Sequence, residues 1–177
     1  YTDNDFTFTG DASVKATDAG QYWMDVKSSD FTNISKNFTN VRFVFENGVL
    51  TIGKRNVILT SASDSKAYDG KPLTNDEVTV GGEGFAKGEG AAYDVTGSQT
   101  EVGSSDNTFT YELKKGTNPD NYNITKKNGE LEVTPSDQKV VVTIKENSGK
   151  KTYDGTEKTV TGYTVENISS KLPYTEK

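Results

Sequence analysis

The amino-acid sequence predicts an all-β fold of tandem small β-sandwich modules, Ig-like or β-grasp-like, with little helix. Apolar residues stand in short alternating runs such as Phe109–Leu113, and no window keeps the 3.6-residue period of an amphipathic helix. The chain also repeats itself, because the segment Lys66–Gly70 returns as Lys151–Gly155 at a distance of 85 positions. A fixed period of this length is typical of an array of small supersecondary modules.

The repeat predicts three parts along the chain. Residues 55–135 form one complete unit, residues 1–54 match the back part of a unit, and residues 136–177 match the front part. Pro135 follows the last predicted strand of the complete unit and marks a seam, because proline cannot donate a hydrogen bond to a continuing sheet. A unit of roughly 80 residues buries only a modest core.

Two further correspondences favour the same division. Asn128–Val133, which closes the complete unit, has a counterpart at Asn47–Ile52, 81 positions earlier. Tyr174–Lys177 resembles Tyr1–Asn4 at the start of the chain. The leading and trailing parts are called the leading flank and the trailing flank below.

Each flank by itself would leave sheet edges and an apolar face exposed. Two arrangements would relieve this exposure, and the sequence leaves both open. The modules could be permuted, with complete units near 1–84 and 85–173. Alternatively, the molecule associates with itself in a swapped contact, so that the leading flank of one copy completes the trailing flank of another.

The complete unit is predicted to consist of β-strands and turns. Its opening strand is rich in β-branched residues, and the later strands alternate apolar with polar side chains. The dipeptide Asn128-Gly129 between two alternating segments predicts a hairpin, since it suits a two-residue turn. The predicted strands are Asn56–Thr60, Glu77–Val80, Tyr93–Thr96, Thr108–Leu113, Tyr122–Thr125 and Glu130–Val133.

The flanks repeat parts of this pattern. Asn47-Gly48 predicts the same closing hairpin in the leading flank, and Val140–Ile144 repeats the opening strand in the trailing flank. The other predicted strands of the flanks are Phe6–Thr9, Ser13–Lys15, Tyr22–Val26, Val41–Phe45, Leu50–Ile52 and Thr159–Val165.

Composition excludes several classes of function. The net charge of −6 disfavours nucleic acid as a partner, because phosphate binding needs clustered Lys and Arg. No apolar run approaches the length of a membrane span. The chain has neither Cys nor His, which removes disulfides, thiolate metal sites and His-based catalysis. We therefore predict no catalytic residue, no metal and no cofactor; a Lys–Asn isopeptide cross-link stays open, since no Lys is singled out.

The repeated segments resemble a known family. KAYDG and KTYDG open a unit, NY followed by NGELEV closes it, and TDAGQY stands in the back half. These are similar to the YDG and MBG-type tandem repeats of Gram-positive bacterial surface proteins and adhesins. The resemblance implies an extracellular all-β stalk displayed on the cell wall, whose partners are neighbouring repeats of the same chain. A host glycan or host protein is a further implied partner.

The repeated Tyr-Asp-Gly motif has two interpretations. An aromatic ring beside a carboxylate is a common way to hold a sugar. The favoured interpretation is a tight turn, in which Asp binds its own backbone and Gly takes a positive φ. The motif residues are Tyr68, Asp69 and Gly70, repeated as Tyr153, Asp154 and Gly155.

Three other aromatic residues are candidates for ligand binding. Asp18-x-Gly20-x-Tyr22 resembles a tyrosine corner, in which the Tyr hydroxyl ties a strand to a nearby turn. Trp23 lies in an alternating run, which predicts that it packs in the core. The sequence predicts a non-enzymatic stalk or spacer; the alternative is a binding module that uses Tyr22, Trp23 or Tyr163.

Overall fold

A computed structural model describes residues 1–172 and shows an all-β chain. The described residues contain only three short 3-10 turns as helical structure: Asp3–Asp5, Ser28–Asp30 and Pro119–Asn121. The predicted all-β fold is confirmed, whereas the segment Tyr174–Lys177 lies outside the described residues. The strands are β1 (Phe6–Phe8), β2 (Gly20–Trp23), β3 (Phe31–Asn33), β4 (Val49–Ile52), β5 (Arg55–Ser61), β6 (Asp64–Ala67), β7 (Val78–Gly82), β8 (Ala91–Val95), β9 (Gly103–Asn107), β10 (Phe109–Leu113), β11 (Tyr122–Lys127), β12 (Gly129–Thr134), β13 (Val141–Glu146) and β14 (Tyr163–Ser169).

The strands form small sheets of two or three members. The three-stranded sheets have the orders β11-β5-β7 and β6-β12-β9. The two-stranded sheets are β1-β3, β2-β4, β10-β8 and β13-β14. Small sheets of this kind cover little area, which agrees with the low apolar content of the sequence.

The chain divides into two compact units. One consists of residues 1–59, 80–92 and 112–126, and the other of residues 60–79, 93–111 and those from 127 onward. The three-part division into 1–54, 55–135 and 136–177 follows the sequence repeat instead, and it stays a prediction.

The first unit has two apolar clusters. Val57 and Leu59 of β5 are fully buried, because alternate residues of a strand point to the same face. Phe85 packs edge-on against buried Tyr122, with ring centroids 5.1 Å apart. The second cluster, in the leading flank, consists of aromatic rings at centroid distances of 5.1 to 6.0 Å: Phe6, Phe31 and Phe43.

The second unit is organised around β12. This strand lies antiparallel to β9 on one edge and parallel to β6 on the other. Its inward residues Leu131 and Val133 form a buried cluster with Leu73, and the half-buried ring of Tyr68 packs against them. Alternation of buried and exposed residues along β12 follows the pleat of a strand with one face in the core.

Several predicted strands are present. β5, β7, β8, β10 and β13 overlap the segments predicted from β-branched or alternating residues. β3, β6 and β9 were not predicted, because they are short and mostly polar. Residues 13–15 and 41–45, predicted as strands, have no strand structure.

The hairpin predicted at Asn128-Gly129 is wrong. β11 belongs to the sheet of β5 and β7, whereas β12 belongs to the sheet of β6 and β9, so the two strands do not pair. Gly129 has no positive φ, which a two-residue hairpin turn would require. Only Asn128 separates the two strands, and the chain changes sheet there.

The structure repeats together with the sequence. In the complete unit, Val133 of β12 lies opposite Gly103 and Leu131 lies opposite Ser105. In the leading flank, the counterparts Ile52 and Leu50 lie opposite Gly20 and Tyr22 in the same order. β4 with β2 therefore has the register of β12 with β9.

The trailing flank repeats the other half of the unit. β13 pairs with β14 as β5 pairs with β7, and each strand lies at its repeat position. The two flanks thus contain different halves of one module: β2 and β4 from the back, β13 and β14 from the front.

Candidate functional site at the module junction

The leading flank and the complete unit meet at a polar junction. β4 ends at Ile52 and β5 begins at Arg55, so the linker between them has only two residues, Gly53 and Lys54. A linker this short restricts the orientation of adjoining strands far more than a long flexible one.

Side-chain hydrogen bonds hold the junction. The Asn121 amide donates to Asp18 Oδ1 at 2.8 Å, and its Oδ1 accepts from the backbone N–H of Ala19 at 2.7 Å. Asn118 Nδ2 also donates to Asp18 Oδ1, at 3.4 Å. Pro119 begins the 3-10 turn that presents Asn121, and the Asn118 side chain caps this turn by accepting from Asp120 N–H. The loop at residues 118–121 of the complete unit is therefore hydrogen-bonded to the loop at residues 18–19 of the leading flank.

A half-enclosed cavity of about 380 Å³ lies at this junction. The residues that line it include Asp18, Arg55, Glu89, Asn121 and Tyr122. Several of their polar atoms have hydrogen-bond partners within the protein. Arg55, for example, donates from Nε to the carbonyl of Gly84 at 3.1 Å and from Nη2 to that of Glu83.

Tyr122 is the most buried polar residue of the cavity. Its hydroxyl donates to Glu89 Oε2 at 2.7 Å and accepts from the backbone N–H of Ala86 at 3.0 Å. Burial of the ring, followed by the hydrogen bond to the Glu89 carboxylate, raises the pKa of the Tyr122 phenol. The hydroxyl therefore stays protonated at neutral pH and acts as a fixed donor.

We expect Tyr122→Phe to change the alkaline stability of the chain. At pH 8 the variant should lose about 1–2 kcal/mol, since Glu89 and the Ala86 N–H lose a partner. A raised folded-state pKa gives stability that is present below the unfolded value near pH 10 and is lost as the pH rises through the folded value. The difference between wild type and variant should thus shrink from pH 8 towards pH 11, as measured by urea unfolding.

Tyr163→Phe is the matched control for this measurement. Tyr163 is 65% exposed, so the variant should unfold like the wild type at both pH values. A difference between wild type and Tyr122→Phe that grows with rising pH would contradict the assignment.

The chemistry of the cavity is hydrogen bonding. Its carboxylates and its phenol are engaged by amide, backbone and hydroxyl groups rather than paired across a gap for acid–base work. Within residues 1–172, no group of three or more acidic side chains is arranged to hold a metal ion. The cavity therefore lies where hydrogen bonds connect the leading flank to the complete unit.

Tyr22 and Trp23 lie on opposite faces of β2. The Tyr22 hydroxyl donates to the backbone carbonyl of Asp18 at 3.0 Å, which is the hydrogen bond that the tyrosine-corner pattern predicts. Trp23 is 59% exposed, so the prediction that it packs in the core is wrong. The strand does alternate, but both of its faces carry an aromatic residue, and Tyr22 is the one that faces inward.

Tyr163, the third candidate, begins β14 and is 65% exposed. It lies opposite Glu146 of β13 in the hairpin register. The ring is accessible to a ligand, and its use as a ligand-binding residue stays a prediction.

The two Tyr-Asp-Gly motifs form the same tight turn. Asp69 Oδ1 accepts from Lys71 N–H and Asp154 Oδ1 accepts from Thr156 N–H, each at 3.0 Å. Gly70 and Gly155 have φ values of +75° and +77°. These contacts are those of a tight turn, which is the favoured interpretation of the motif.

A nearby lysine stabilises the carboxylate of each turn. Lys66 Nζ donates to Asp69 at 2.7 Å, and Lys158 Nζ donates to Asp154. These hydrogen bonds, ahead of the other contacts, lower the pKa of both carboxyl groups. Asp69 and Asp154 are therefore each hydrogen-bonded within their own turn.

The described part of the chain singles out no buried lysine for an isopeptide cross-link. The buried polar residues there are Ser61, Asn107 and Thr117, and none is a lysine. Burial is what makes a lysine amine a nucleophile, so the cross-link stays open.

The contact of Asn118 and Asn121 with Asp18 could not be predicted from the sequence. Asn118-Pro119-Asp120-Asn121 is recognisable as a turn, because Asn before Pro favours turn initiation. Its partner Asp18 lies 103 positions away from Asn121, and no local pattern connects the two.

Comparison with protein-family models, with curated proteins and with solved structures gave no match. Among the described residues, no helix is long and apolar enough to cross a membrane.

Proposed function

We propose that this chain is a non-enzymatic structural segment of a bacterial cell-surface protein, in which β modules act as a stalk or spacer. The resemblance to YDG and MBG-type repeats supports display on the cell wall of a Gram-positive bacterium, in an adhesin-like protein. The all-β fold and the internal repeat favour this role, because tandem modules give reach and surface.

One observation carries the proposal. The leading flank is joined to the next module by two linker residues and by the bonds of Asn121 to Asp18 and Ala19. A spacer must keep its modules from folding back on one another, and a short linker with a hydrogen-bonded junction supports such a role.

The distance between the two modules tests this role. Spin labels on cysteines introduced at exposed Lys36 and Lys115 report that distance by electron–electron double resonance. The chain has no native cysteine to interfere. We expect a narrow distance distribution in the labelled chain that keeps Asn121. The labelled Asn121→Ala variant should give a broad one, because it loses both hydrogen bonds to the flank.

Asn123→Ala is the matched control, since Asn123 Nδ2 bonds to Asn56 of its own module at 3.2 Å. This variant should keep the narrow distribution. A broad distribution in the parent protein would mean a flexible tether, which would contradict a spacer that acts through a stiff junction.

The alternative function is a glycan- or host-protein-binding module. On the outward face of the leading flank, Trp23 lies directly opposite exposed Val49. At the same register in the complete unit, Asp106 lies opposite Glu130. The flank thus places an apolar pair where its repeat has two charges, and an exposed tryptophan suits the apolar face of a sugar ring.

A glycan array separates the two functions. Specific binding that is lost in Trp23→Ala and kept in Tyr163→Ala would support a module that binds through β2. An array without specific binding would favour the spacer.

A further inference from the structure

The trailing flank exposes side chains whose repeat counterparts are buried. Val57 and Leu59 of β5 are 0% exposed. Val142 and Ile144 of β13, 85 positions later, are 48% and 55% exposed. In the complete unit β5 has β7 on one edge and β11 on the other, whereas in the described part of the chain β13 pairs only with β14. Among residues 1–172, β13 thus has an open edge and an open apolar face. A two-stranded hairpin of this kind is only marginally stable in water.

The leading flank is open at the complementary positions. Residues 41–46 correspond to β11, and they form no strand. β12 has both β9 and β6 as neighbours, but β4, its counterpart, pairs only with β2 in the described part of the chain. One edge of β4 therefore has no partner strand.

The missing neighbour of β4 can be identified from the repeat. β6 runs parallel to β12, with Glu132 opposite Ser65. The repeat counterpart of Glu132 is Thr51, 81 positions earlier, and that of Ser65 is Lys150, 85 positions later. Residues 149–152 are exposed and form no strand, so they are available to pair with β4.

The repeated tyrosine gives a third correspondence. Tyr68 packs against Leu131 and Val133 of β12. Its counterpart Tyr153 is 91% exposed, while Leu50 and Ile52, the counterparts of the two β12 residues, are only half-buried. The exposed Tyr153 ring of the trailing flank therefore corresponds to the ring that would cover Leu50 and Ile52 in the leading flank.

We propose that two copies of this chain associate head to tail, so that residues 140–153 of one copy complete residues 41–52 of another as an additional module. β13 then takes the place of β5 beside 41–46, and 149–152 take the place of β6 beside β4. The partner that covers these open edges is a second copy of this chain, because the sequence carries both halves of a module with the register of the complete unit. The contact is heterologous; it closes into a reciprocal dimer or extends into a chain of copies. It goes beyond the spacer function and does not depend on it.

Cysteine cross-linking tests the predicted register. Thr51→Cys and Lys150→Cys chains, distinguished by an affinity tag on one of them, are mixed under mild oxidation with oxidised glutathione. Opposed residues on neighbouring strands lie within the range of Cα distances that a disulfide spans. We expect a covalent heterodimer as the main product. The control pair, Glu132→Cys with Lys150→Cys, should give little covalent heterodimer, because Glu132 already lies opposite Ser65 within its own chain.

Sedimentation tests the apolar contact in the full chain. The parent protein should show a dimer or larger species whose population rises with concentration. Ile144→Asp, which places a charge on the face to be buried, should weaken association at least about tenfold, equivalent to about 1.4 kcal/mol. Val141→Asp should associate like the parent, since its counterpart Asn56 is exposed in the complete unit.

Three results would overturn the proposal. One is a parent protein that remains monomeric at every concentration. Another is equal cross-linking of the test and control pairs. The third is a Thr51→Cys/Lys150→Cys double variant that closes a disulfide within single chains and leaves no intermolecular product. None of these results bears on the stiffness of the Asn121 junction, so the spacer function is tested separately.

Discussion

Replacing Asn107 by Asp should destabilise the second unit by about 3–5 kcal/mol at pH 7. Asn107 is fully buried at the end of β9. Its Nδ2 donates to the backbone carbonyls of Ala62 at 2.9 Å and Asn75 at 2.8 Å. The substitution replaces this donor by an oxygen that faces two carbonyl oxygens, and it adds a buried charge without a partner. A loss of this size is a large part of the stability of an ordinary domain.

The loss should depend on pH. Burial raises the folded-state pKa of an unpaired carboxyl group above its unfolded value near 4. Such a group adds stability only below the unfolded pKa, and this contribution is lost as the pH rises through the folded pKa. The deficit of Asn107→Asp relative to wild type should therefore be largest at pH 7 and smaller at pH 4, as measured by urea unfolding with circular dichroism.

Asn40→Asp is the control, because Asn40 is exposed and the same chemical change costs little there. It should unfold within about 0.5 kcal/mol of wild type at both pH values. An Asn107→Asp protein as stable as this control at pH 7 would show that the buried amide contributes nothing.

Asn107 also shows what the sequence could not disclose. Gly103–Asn107 is polar, and neither its composition nor its alternation predicts a strand. It becomes one because β12, with strongly apolar inward residues, provides the edge with which it pairs. Tertiary pairing here overrides local propensity, and the polar core position appears only when Ala62 and Asn75 approach from distant parts of the chain.

Repetition in the sequence predicted more than local patterns did. The pairs β2–β4 and β9–β12 share one register, and β13–β14 repeats β5–β7. Strand existence was predictable where β-branched residues are dense, as in β5. Strand partners were not, because an alternating segment specifies which faces differ but not which neighbour pairs with it. The same limit explains the exposure of Trp23 and the absence of a hairpin at Asn128.

The second large effect is expected at Gly129, which the hairpin interpretation assigned to turn conformation. A Cβ at Gly129 would lie 2.5 Å from both the carbonyl oxygen of Ser61 and the carbonyl carbon of Ala62. The Gly129 N–H also donates to the buried Ser61 Oγ at 2.9 Å, which fixes β12 close to the end of β5. Backbone atoms cannot move aside as a side chain can. We expect Gly129→Ala to lose about 3 kcal/mol or to fail to fold, as measured by urea unfolding.

The repeat supplies a matched control, because Gly48 occupies the same position in the leading flank. A Cβ there would meet Met24 Sδ at 2.8 Å and Cε at 3.2 Å, which belong to the end of a flexible side chain. Gly48→Ala should therefore cost less than about 1 kcal/mol. If the two variants lost equal stability, the close approach of Ser61 and Ala62 would not be the reason for the loss at Gly129. Close backbone approach predicts instead that only the Gly129 variant is strongly destabilised.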